Sequence, residues 1–164
     1  MIYITNIPSP LGSLKIQCTE EQVIAVEFVD DDAVFPQHSH PLLKQCILQV
    51  EEYFSGKRVA FHLPIAQDGS PFQQKVWNLL QEIPFGKTIS YNKLAVQYGD
   101  LKAIRAVASA NGKNKLAIIV PCHRVIGSNQ SLTGYAGGLW RKKWLLEHEA
   151  KHSIGVEQLG LSFS

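Results

Sequence analysis

A cysteine and a histidine stand side by side at Cys122-His123, and this pair is the best candidate for nucleophilic chemistry in the chain. Cysteine attacks as a thiolate, whereas a free thiol with a pKa near ~8.5 is only slightly ionised at neutral pH. Side chains at consecutive positions diverge in helix and strand alike, so His123 can serve Cys122 only across a turn or through a water. A distant carboxylate could orient the imidazole. The alternative is that Cys122 is a buried cysteine that follows a strand and has only a structural role.

The segments around this pair predict how it is held. The apolar run Leu116 to Val120 predicts a fully buried strand that leads into Pro121. After the pair, Gly127 to Ser131 predicts a loop or wing, and Gly134 to Gly138 predicts a tight glycine-rich turn. An amphipathic helix with Leu139, Trp140, Trp144, Leu145 and Leu146 is predicted to follow, and residues 151–164 form an uninformative tail.

Two short helices joined by a tight turn are predicted before the pair. Ser90 can cap the first helix, Gly99 can close it in the left-handed conformation, and Asp100 can cap the second. The second helix, from Leu101 to about Asn111, has a small-residue face that Arg105 and Ser109 interrupt; its alanines are Ala103, Ala106 and Ala110. Two such helices predict a helix-turn-helix, although alanines also simply favour helix or pack against a neighbour.

The first half of the chain predicts a smaller, separate domain of strands and one helix. Strands are predicted at Leu14 to Cys18, Val23 to Val29 and Val59 to Ile65, and a helix over Leu42 to Phe54 ends at Gly56. Gln67-Asp68-Gly69 marks the boundary, after which Ser70-Pro71 opens a helix with a capping box. The fold class is therefore α/β, more narrowly α+β: a supporting domain over residues 1–66 and a helical winged helix-turn-helix domain over residues 70–150.

Composition points to a globular protein with an anionic partner. The chain has 164 residues, of which 45% are hydrophobic and 18% charged. Residues 1–66 carry four Lys/Arg against eight Asp/Glu, and residues 67–164 carry twelve against six. A basic second half favours nucleic acid as the partner, although a solvated basic face would look the same. Three sparse cysteines fit a reducing compartment, so a cytoplasmic protein without membrane segments is expected.

The sequence around Cys122-His123 is specific enough to indicate a family. Pro121-Cys122-His123-Arg124-Val125 resembles the active-site signature of the methylated-DNA–protein-cysteine methyltransferases, also called O6-alkylguanine-DNA alkyltransferases. The resemblance is strong over about Ser70 to Glu149 and loose in the first domain. Its further matches are Ser90-Tyr91, Arg105-Ala106-Val107, Asn114, Tyr135-Ala136-Gly137-Gly138 and Lys143-Trp144-Leu145-Leu146-Glu147-His148-Glu149.

The resemblance implies direct repair of alkylated DNA and a role for each matched residue. Cys122 is the alkyl acceptor, His123 its base through a water, and Glu149 the group that orients His123. Asn114 shapes the active-site loop, and Tyr91 hydrogen-bonds the flipped base and helps to protonate the leaving group. The resemblance also assigns pocket contacts: the carbonyls of Cys122 and Val125 accept from the exocyclic amine of the base, Tyr135 lines the pocket, and the Ala136 N–H binds the O6 oxygen.

The resemblance further implies how DNA is bound. The helix from Leu101 enters the minor groove of double-stranded DNA, with Ala103, Ala106 and Ser109 at the interface and Arg105 replacing the extruded base. O4-alkylthymine is an expected second substrate. No cofactor or metal is expected for a direct displacement at an alkyl carbon. Structural zinc, which some members carry in the first domain, is not expected either, because only Cys18 lies near the position of that site. A monomer that acts once and is consumed is expected.

Two departures and two alternatives accompany this interpretation. Lys115 and Ala117 replace prolines found in many or some members, which puts the rigidity of the pocket loop in doubt. A winged-helix regulator with an incidental cysteine explains the paired helices but not Tyr91, Asn114, Cys122-His123 and Glu149 together. A cysteine hydrolase explains Cys-His-Glu but not the DNA-binding elements.

Overall fold

The computed structural model describes residues 1–127 and 134–158, and the side chains up to Ser153. The chain divides into two compact units. The first comprises Met1–Asp68 and Lys115–Ile119, and the second comprises Gly69–Asn114 and the chain from Val120 onwards. Within the described ranges, no helix is long and apolar enough to cross a membrane.

The first unit is an antiparallel three-stranded sheet with one helix packed on it. Strands β1 (Tyr3–Ile7), β2 (Leu14–Cys18) and β3 (Val23–Phe28) lie in sequence order, and helix α1 spans Pro41–Phe54. The inward residues alternate along β2, where Leu14, Ile16 and Cys18 are fully buried. They meet the buried face of α1, which includes Leu43, Cys46 and Val50.

Three features of the first unit differ from the sequence-based expectation. The pattern missed β1, whose residues are mostly half-buried and pair with β2. The predicted strand Val59 to Ile65 is wrong, because only Ile65 forms an isolated bridge, to Val23. The predicted strand Leu116 to Val120 is wrong as well: Leu116 bridges Val26, and Ile118 has a left-handed φ of 72°, which no strand accommodates. Leu116, Ile118 and Val120 are nevertheless buried as predicted.

The second unit is mainly helical. Helix α2 (Pro71–Leu80) begins with the predicted capping box of Ser70 and Gln73 and ends at Leu80, before the Pro84-Phe85-Gly86 expected to stop it. Its buried residues are Val76, Trp77 and Leu80, whereas Phe72 and Leu79 are only half-buried. Trp77 donates from Nε1 to the Ala110 carbonyl at 2.9 Å, which ties α2 to the helix carrying Ala110.

The predicted helix-turn-helix is present. Helix α3 (Tyr91–Tyr98) is capped by Ser90 and closed by Gly99, whose φ is 113°. Asp100 then caps a 3-10 turn, Leu101–Ala103, which leads into helix α4 (Ile104–Gly112). The second helix is thus α-helical only from Ile104, three residues later than expected.

The final helix, α5 (Leu139–Gln158), continues past the expected limit at residue 150. Leu139 and Trp140 are about half exposed, so they do not form its buried face. That face consists of Lys142, Leu145, His148 and Glu149. Residues 128–133, which hold most of the predicted wing, lie outside the described part of the chain.

Gly99, in the turn of the helix-turn-helix, and Gly112, the last residue of α4, allow a matched test of backbone conformation. A Cβ at either Gly99 or Gly112 meets no atom within 4 Å, but only Gly99 has a left-handed φ. We expect Gly99→Ala to lower the free energy of unfolding by about 1–2 kcal/mol. Gly112→Ala should raise it by about 0.5–1 kcal/mol, because alanine restricts the unfolded chain and favours helix. Urea denaturation measures both, and equal effects would contradict the conformational explanation.

Candidate functional site

The candidate site is built around a single turn. Cys122–Arg124 form a 3-10 turn that leads into strand β5 (Val125–Ile126). β5 pairs in parallel with β4 (Ile89–Ser90), with Ile89 opposite Val125. Because α3 begins directly after β4, this pairing brings Tyr91 close to the turn that carries Cys122.

Glu149 collects the polar groups of that turn. Its Oε2 lies 2.7 Å from His123 Nε2, and Arg124 donates to both carboxylate oxygens, from Nε at 2.8 Å and Nη2 at 3.1 Å. The backbone N–H of Gly86 adds a bond of 3.3 Å, and Arg124 Nη1 donates to the Ile83 carbonyl at 2.6 Å. The carboxylate is 1% exposed, so this is a buried, bidentate ion pair with a histidine attached.

The charges of this cluster decide its protonation. Burial alone raises the pKa of Glu149, but His123 and Arg124 outweigh it and hold the pKa well below its usual range. Burial lowers the pKa of His123, although Glu149 opposes the change. The ring is therefore neutral near pH 7. Since a carboxylate can only accept, Nε2 carries the proton and Nδ1 presents a lone pair.

Cys122 is held as a thiol in the resting protein. It is 7% exposed, and burial raises its pKa. A hydrogen bond from the Asn114 side chain and the nearby ammonium of Lys142 act in the opposite direction. Asn114 also donates from Nδ2 to the Val120 carbonyl at 2.8 Å, which fixes the segment just before Pro121. The thiol therefore needs a base before it can attack.

Lys142 is a functional candidate that the sequence reasoning did not single out. Its side chain is fully buried, its Nζ donates to the Val125 carbonyl at 2.6 Å, and it lies 5.8 Å from the ring centre of Tyr91. Burial lowers its pKa to about 8. Within the basic run 141–143 it looked like surface charge. The spacing of Lys142, Leu145 and Glu149 along one helical face was the signal that could have identified it.

Arg124 and Asn111 were also missed. Arg124 was noted only as a cationic neighbour of Cys122, although it is buried and holds Glu149. Asn111 is 1% exposed near the end of α4, and its Nδ2 donates to the Cys122 carbonyl at 3.4 Å. Both carbonyls expected to face the base amine, those of Cys122 and Val125, thus already have a buried side-chain donor. A carbonyl oxygen has two lone pairs, so each can still accept a second bond.

An open cleft of about 630 Å³ lies in the same unit. Its lining includes four of the residues expected at the substrate or DNA, namely Tyr91, Arg105, Tyr135 and Ala136. Burial raises the pKa of Tyr135 well above its ordinary value, and charge at Cys122 raises it further, so Tyr135 links the cleft to the thiol. Large apolar clefts with a few convergent polar groups are typical ligand sites.

One wall of the cleft belongs to α4. Arg105, Ala106 and Ser109 are exposed, and Ala103 is half-buried at the start of the helix. Ala110 is buried against Trp77 and does not share the exposed face. The exposed side of the helix thus presents one arginine among small residues.

Comparisons with known proteins agree with this site. Residues 71–151 match the model of the 6-O-methylguanine DNA methyltransferase DNA binding domain, and residues 2–67 match the ribonuclease-like domain of the same enzymes. The chain belongs to the 6-O-methylguanine DNA methyltransferase family.

Individual members of the family cover almost the whole chain. The constitutive methylated-DNA–protein-cysteine methyltransferase of Bacillus subtilis is 45% identical over 84% of this chain and 88% of that protein. The enzyme of Methanosarcina acetivorans is 41% identical over 90% and 98%. The crystal structure of Mycobacterium tuberculosis O6-methylguanine methyltransferase superposes with a TM-score of 0.83 at 38% identity, covering 93% and 94%. The same enzyme has been crystallised with DNA.

The family and the α/β fold class were both expected from the sequence, and both expectations are confirmed: the chain belongs to this family of DNA-repair methyltransferases and has its fold. The roles of individual residues stay predictions. The structure brings Cys122, His123, Glu149, Asn114 and Val125 together around one turn. It places Tyr91, Tyr135, Ala136 and Arg105 on the cleft.

The Glu149 cluster generates a stability prediction. We expect Glu149→Gln to lower the free energy of unfolding by about 3 kcal/mol at pH 7, because Arg124 then stays buried without a counter-charge. The depressed pKa of Glu149 means that its contribution is present above the unfolded pKa, near ~4.3, and is lost as pH falls. The difference between wild type and variant should therefore shrink by roughly 1–2 kcal/mol between pH 5 and pH 3.

Glu147→Gln is the matched control. Glu147 lies on the same helix, is 66% exposed and faces Lys143 at 3.9 Å. Its replacement should change the free energy of unfolding by less than about 0.5 kcal/mol at either pH. Similar losses in both variants would show that helix α5, and not the buried ion pair, is the source of the effect.

Proposed function

We propose that this protein repairs alkylated duplex DNA by transferring the alkyl group from O6-alkylguanine to its own Cys122, once per molecule. The observation that carries the proposal is the His123 ring, held by Glu149 at 2.7 Å on the same turn as the buried Cys122 thiol, in the unit that also contains the apolar cleft. The matched DNA-binding domain supports DNA as the partner.

The reaction follows from the charges. The thiol proton passes through a water to His123 Nδ1, and the imidazolium is stabilised by Glu149 at 2.7 Å. The thiolate sulfur attacks the alkyl carbon in line, a carbon–sulfur bond forms, and the carbon–O6 bond breaks with its electrons left on the guanine. Tyr91, which lies on the cleft, is proposed to hydrogen-bond the flipped base and to help protonate the guanine leaving group. The Ala136 N–H, also on the cleft, is proposed to donate a hydrogen bond to the O6 oxygen as charge develops there.

A flipped base is required, because the O6 position lies at a base edge inside the duplex. We propose that α4 enters the minor groove of DNA with Ala103, Ala106 and Ser109, and that Arg105 fills the space the base leaves. The exposed arginine among small side chains supports this role. The Cys122 and Val125 carbonyls are proposed to accept from the exocyclic amine of guanine. O4-alkylthymine is a proposed second substrate, and a monomer acting in the cytoplasm is the proposed state.

Stoichiometry tests the transfer. Incubation with an O6-methylguanine duplex should raise the intact-protein mass by one methylene, located on Cys122 by peptide mapping, with one alkyl group removed per protein. A thioether has no facile route back, so excess substrate should give no further turnover. Cys122→Ser should abolish transfer and keep most DNA affinity, since phosphate contacts dominate affinity.

Cys46→Ala is the matched control for the acceptor. Burial raises the pKa of Cys46 to about 12, so it is chemically inert near neutral pH. The control should transfer like the wild type. Transfer by Cys122→Ser at a wild-type rate would identify another acceptor, and continued turnover would refute the single-use mechanism.

Arg105 tests base extrusion. Extrusion costs a few kcal/mol, and we expect Arg105→Ala to slow transfer from bound duplex about tenfold, which corresponds to ~1.4 kcal/mol. Reaction with free O6-benzylguanine, which needs no flipping, should be unchanged. Lys102→Ala, an exposed cation on the preceding turn, serves as control and should weaken binding only. Equal slowing of Arg105→Ala on both substrates would assign Arg105 to the pocket and not to extrusion.

A further inference from the structure

Three buried side-chain polar atoms have no hydrogen-bond partner among the described residues: Asn111 Oδ1, His123 Nδ1 and Tyr135 Oη. Nearly all buried polar atoms in proteins have a partner, so each exception calls for an explanation. All three belong to residues around Cys122. Asn111 donates to the Cys122 carbonyl, His123 follows Cys122 in the chain, and Tyr135 is electrostatically coupled to it.

The orientation of the Asn111 amide follows from its partner. A carbonyl oxygen only accepts, so the nitrogen of the amide must face the Cys122 carbonyl, at 3.4 Å. Oδ1 then points elsewhere in a side chain that is 1% exposed. The bond from Trp77 Nε1 to the Ala110 carbonyl holds this end of α4, which fixes where Asn111 can reach.

His123 offers the second acceptor. With its Nε2–H directed to Glu149 at 2.7 Å, the neutral ring presents the Nδ1 lone pair. Asn111 Oδ1 and His123 Nδ1 are thus two buried acceptors on residues that adjoin Cys122, whose thiol is a donor. Water matches this set, because it can donate to both acceptors and accept from the thiol, and buried water usually has about three such partners.

We propose that Asn111 is a positioning residue for alkyl transfer, whose Oδ1 orients the water that carries the proton from Cys122 to His123 Nδ1. One hydrogen of the water points to Oδ1 and the other to Nδ1, so its lone pair faces the thiol. The S–H proton moves to the water oxygen as a water proton moves to Nδ1. The new O–H then donates to the thiolate, and the imidazolium stays paired with Glu149.

Ionisation of Cys122 reports this role. The charged and titratable groups coupled to Cys122 or to its base are His123, Glu149, Arg124, Lys142 and Tyr135. Asn111 is neutral, so replacing it with leucine changes none of these charges. A raised apparent pKa of Cys122 in that variant therefore reports the loss of the water that hydrogen-bonds to the thiolate. A purely packing role would leave the ionisation unchanged.

The experiment measures alkylation of Cys122 by iodoacetamide across pH, without DNA, by peptide mass spectrometry. In Asn111→Leu we expect the apparent pKa of Cys122 to rise by about one unit and the rate near pH 7 to fall about tenfold. Transfer from free O6-benzylguanine should slow by a similar factor. Asn78→Leu, the same change at an exposed position of α2, should behave like the wild type.

The outcomes separate the possibilities. An unchanged apparent pKa of Cys122 in folded Asn111→Leu overturns the proposal, and slower transfer with that result assigns Asn111 to holding the Cys122 carbonyl. If Asn111→Leu fails to fold, Asn111→Ser and Asn111→Ala give the comparison, because they differ by one hydroxyl group. The apparent pKa of Cys122 should be lower in Asn111→Ser than in Asn111→Ala. Equal pKa values overturn the proposal. The inference rests on the proposed function, but the measurement of Cys122 alkylation by iodoacetamide does not depend on that function. A shifted pKa in a protein whose wild type leaves O6-alkylguanine untouched would refute only the proposed substrate.

Discussion

The buried carboxylate of Glu149 is the interaction on which the second unit depends. One side chain of α5 binds Arg124 through two oxygens, His123 through one and the Gly86 N–H through another. A lone buried carboxylate would be protonated or expelled, and here it stays ionised because His123 and Arg124 stabilise its charge. The carboxylate that pairs with Arg124 thus also fixes the tautomer of His123. Stability and reactivity in this turn share one ion pair.

Features that depend on neighbouring residues could be predicted from the sequence, whereas features that depend on contacts between distant segments could not. Ser70, Ser90, Gly99 and Asp100 act on backbone groups within a few residues, so their capping roles were predictable. The run 116–120 was predicted to be fully buried; Leu116, Ile118 and Val120 are, whereas Ala117 and Ile119 are half-buried. Its conformation depends on the bridge to Val26, some ninety residues earlier in the chain, which no local pattern reveals. β1 was missed because its mostly half-buried residues give no apolar alternation.

The candidate site shows the same division. Cys122, His123 and Glu149 were found because a motif marks them. Arg124 lies in the same motif, but its ion pair with Glu149 was not predicted, and neither Lys142 nor Asn111 was assigned a role. Lys142 looked like one cation in a basic run, and only the fold shows its ammonium on the Val125 carbonyl at 2.6 Å. Burying a lysine is costly, and its pKa of about 8 reflects that cost. A lysine that is buried at such a cost and bonded to the Val125 carbonyl, next to the turn that carries Cys122, is a functional candidate.

The opposing effects on Cys122 agree with the proposal that each molecule acts once. Burial raises the pKa of the thiol, while Asn114 and Lys142 lower it. A permanently exposed thiolate would react with oxidants and stray electrophiles, and each such event would consume a molecule of the proposed repair protein. A buried thiol avoids this loss, because it stays protonated in the resting protein and becomes a thiolate only when its proton passes to His123. The energetic balance at Cys122 therefore favours selectivity for a bound alkyl group over maximal nucleophilicity in the resting state.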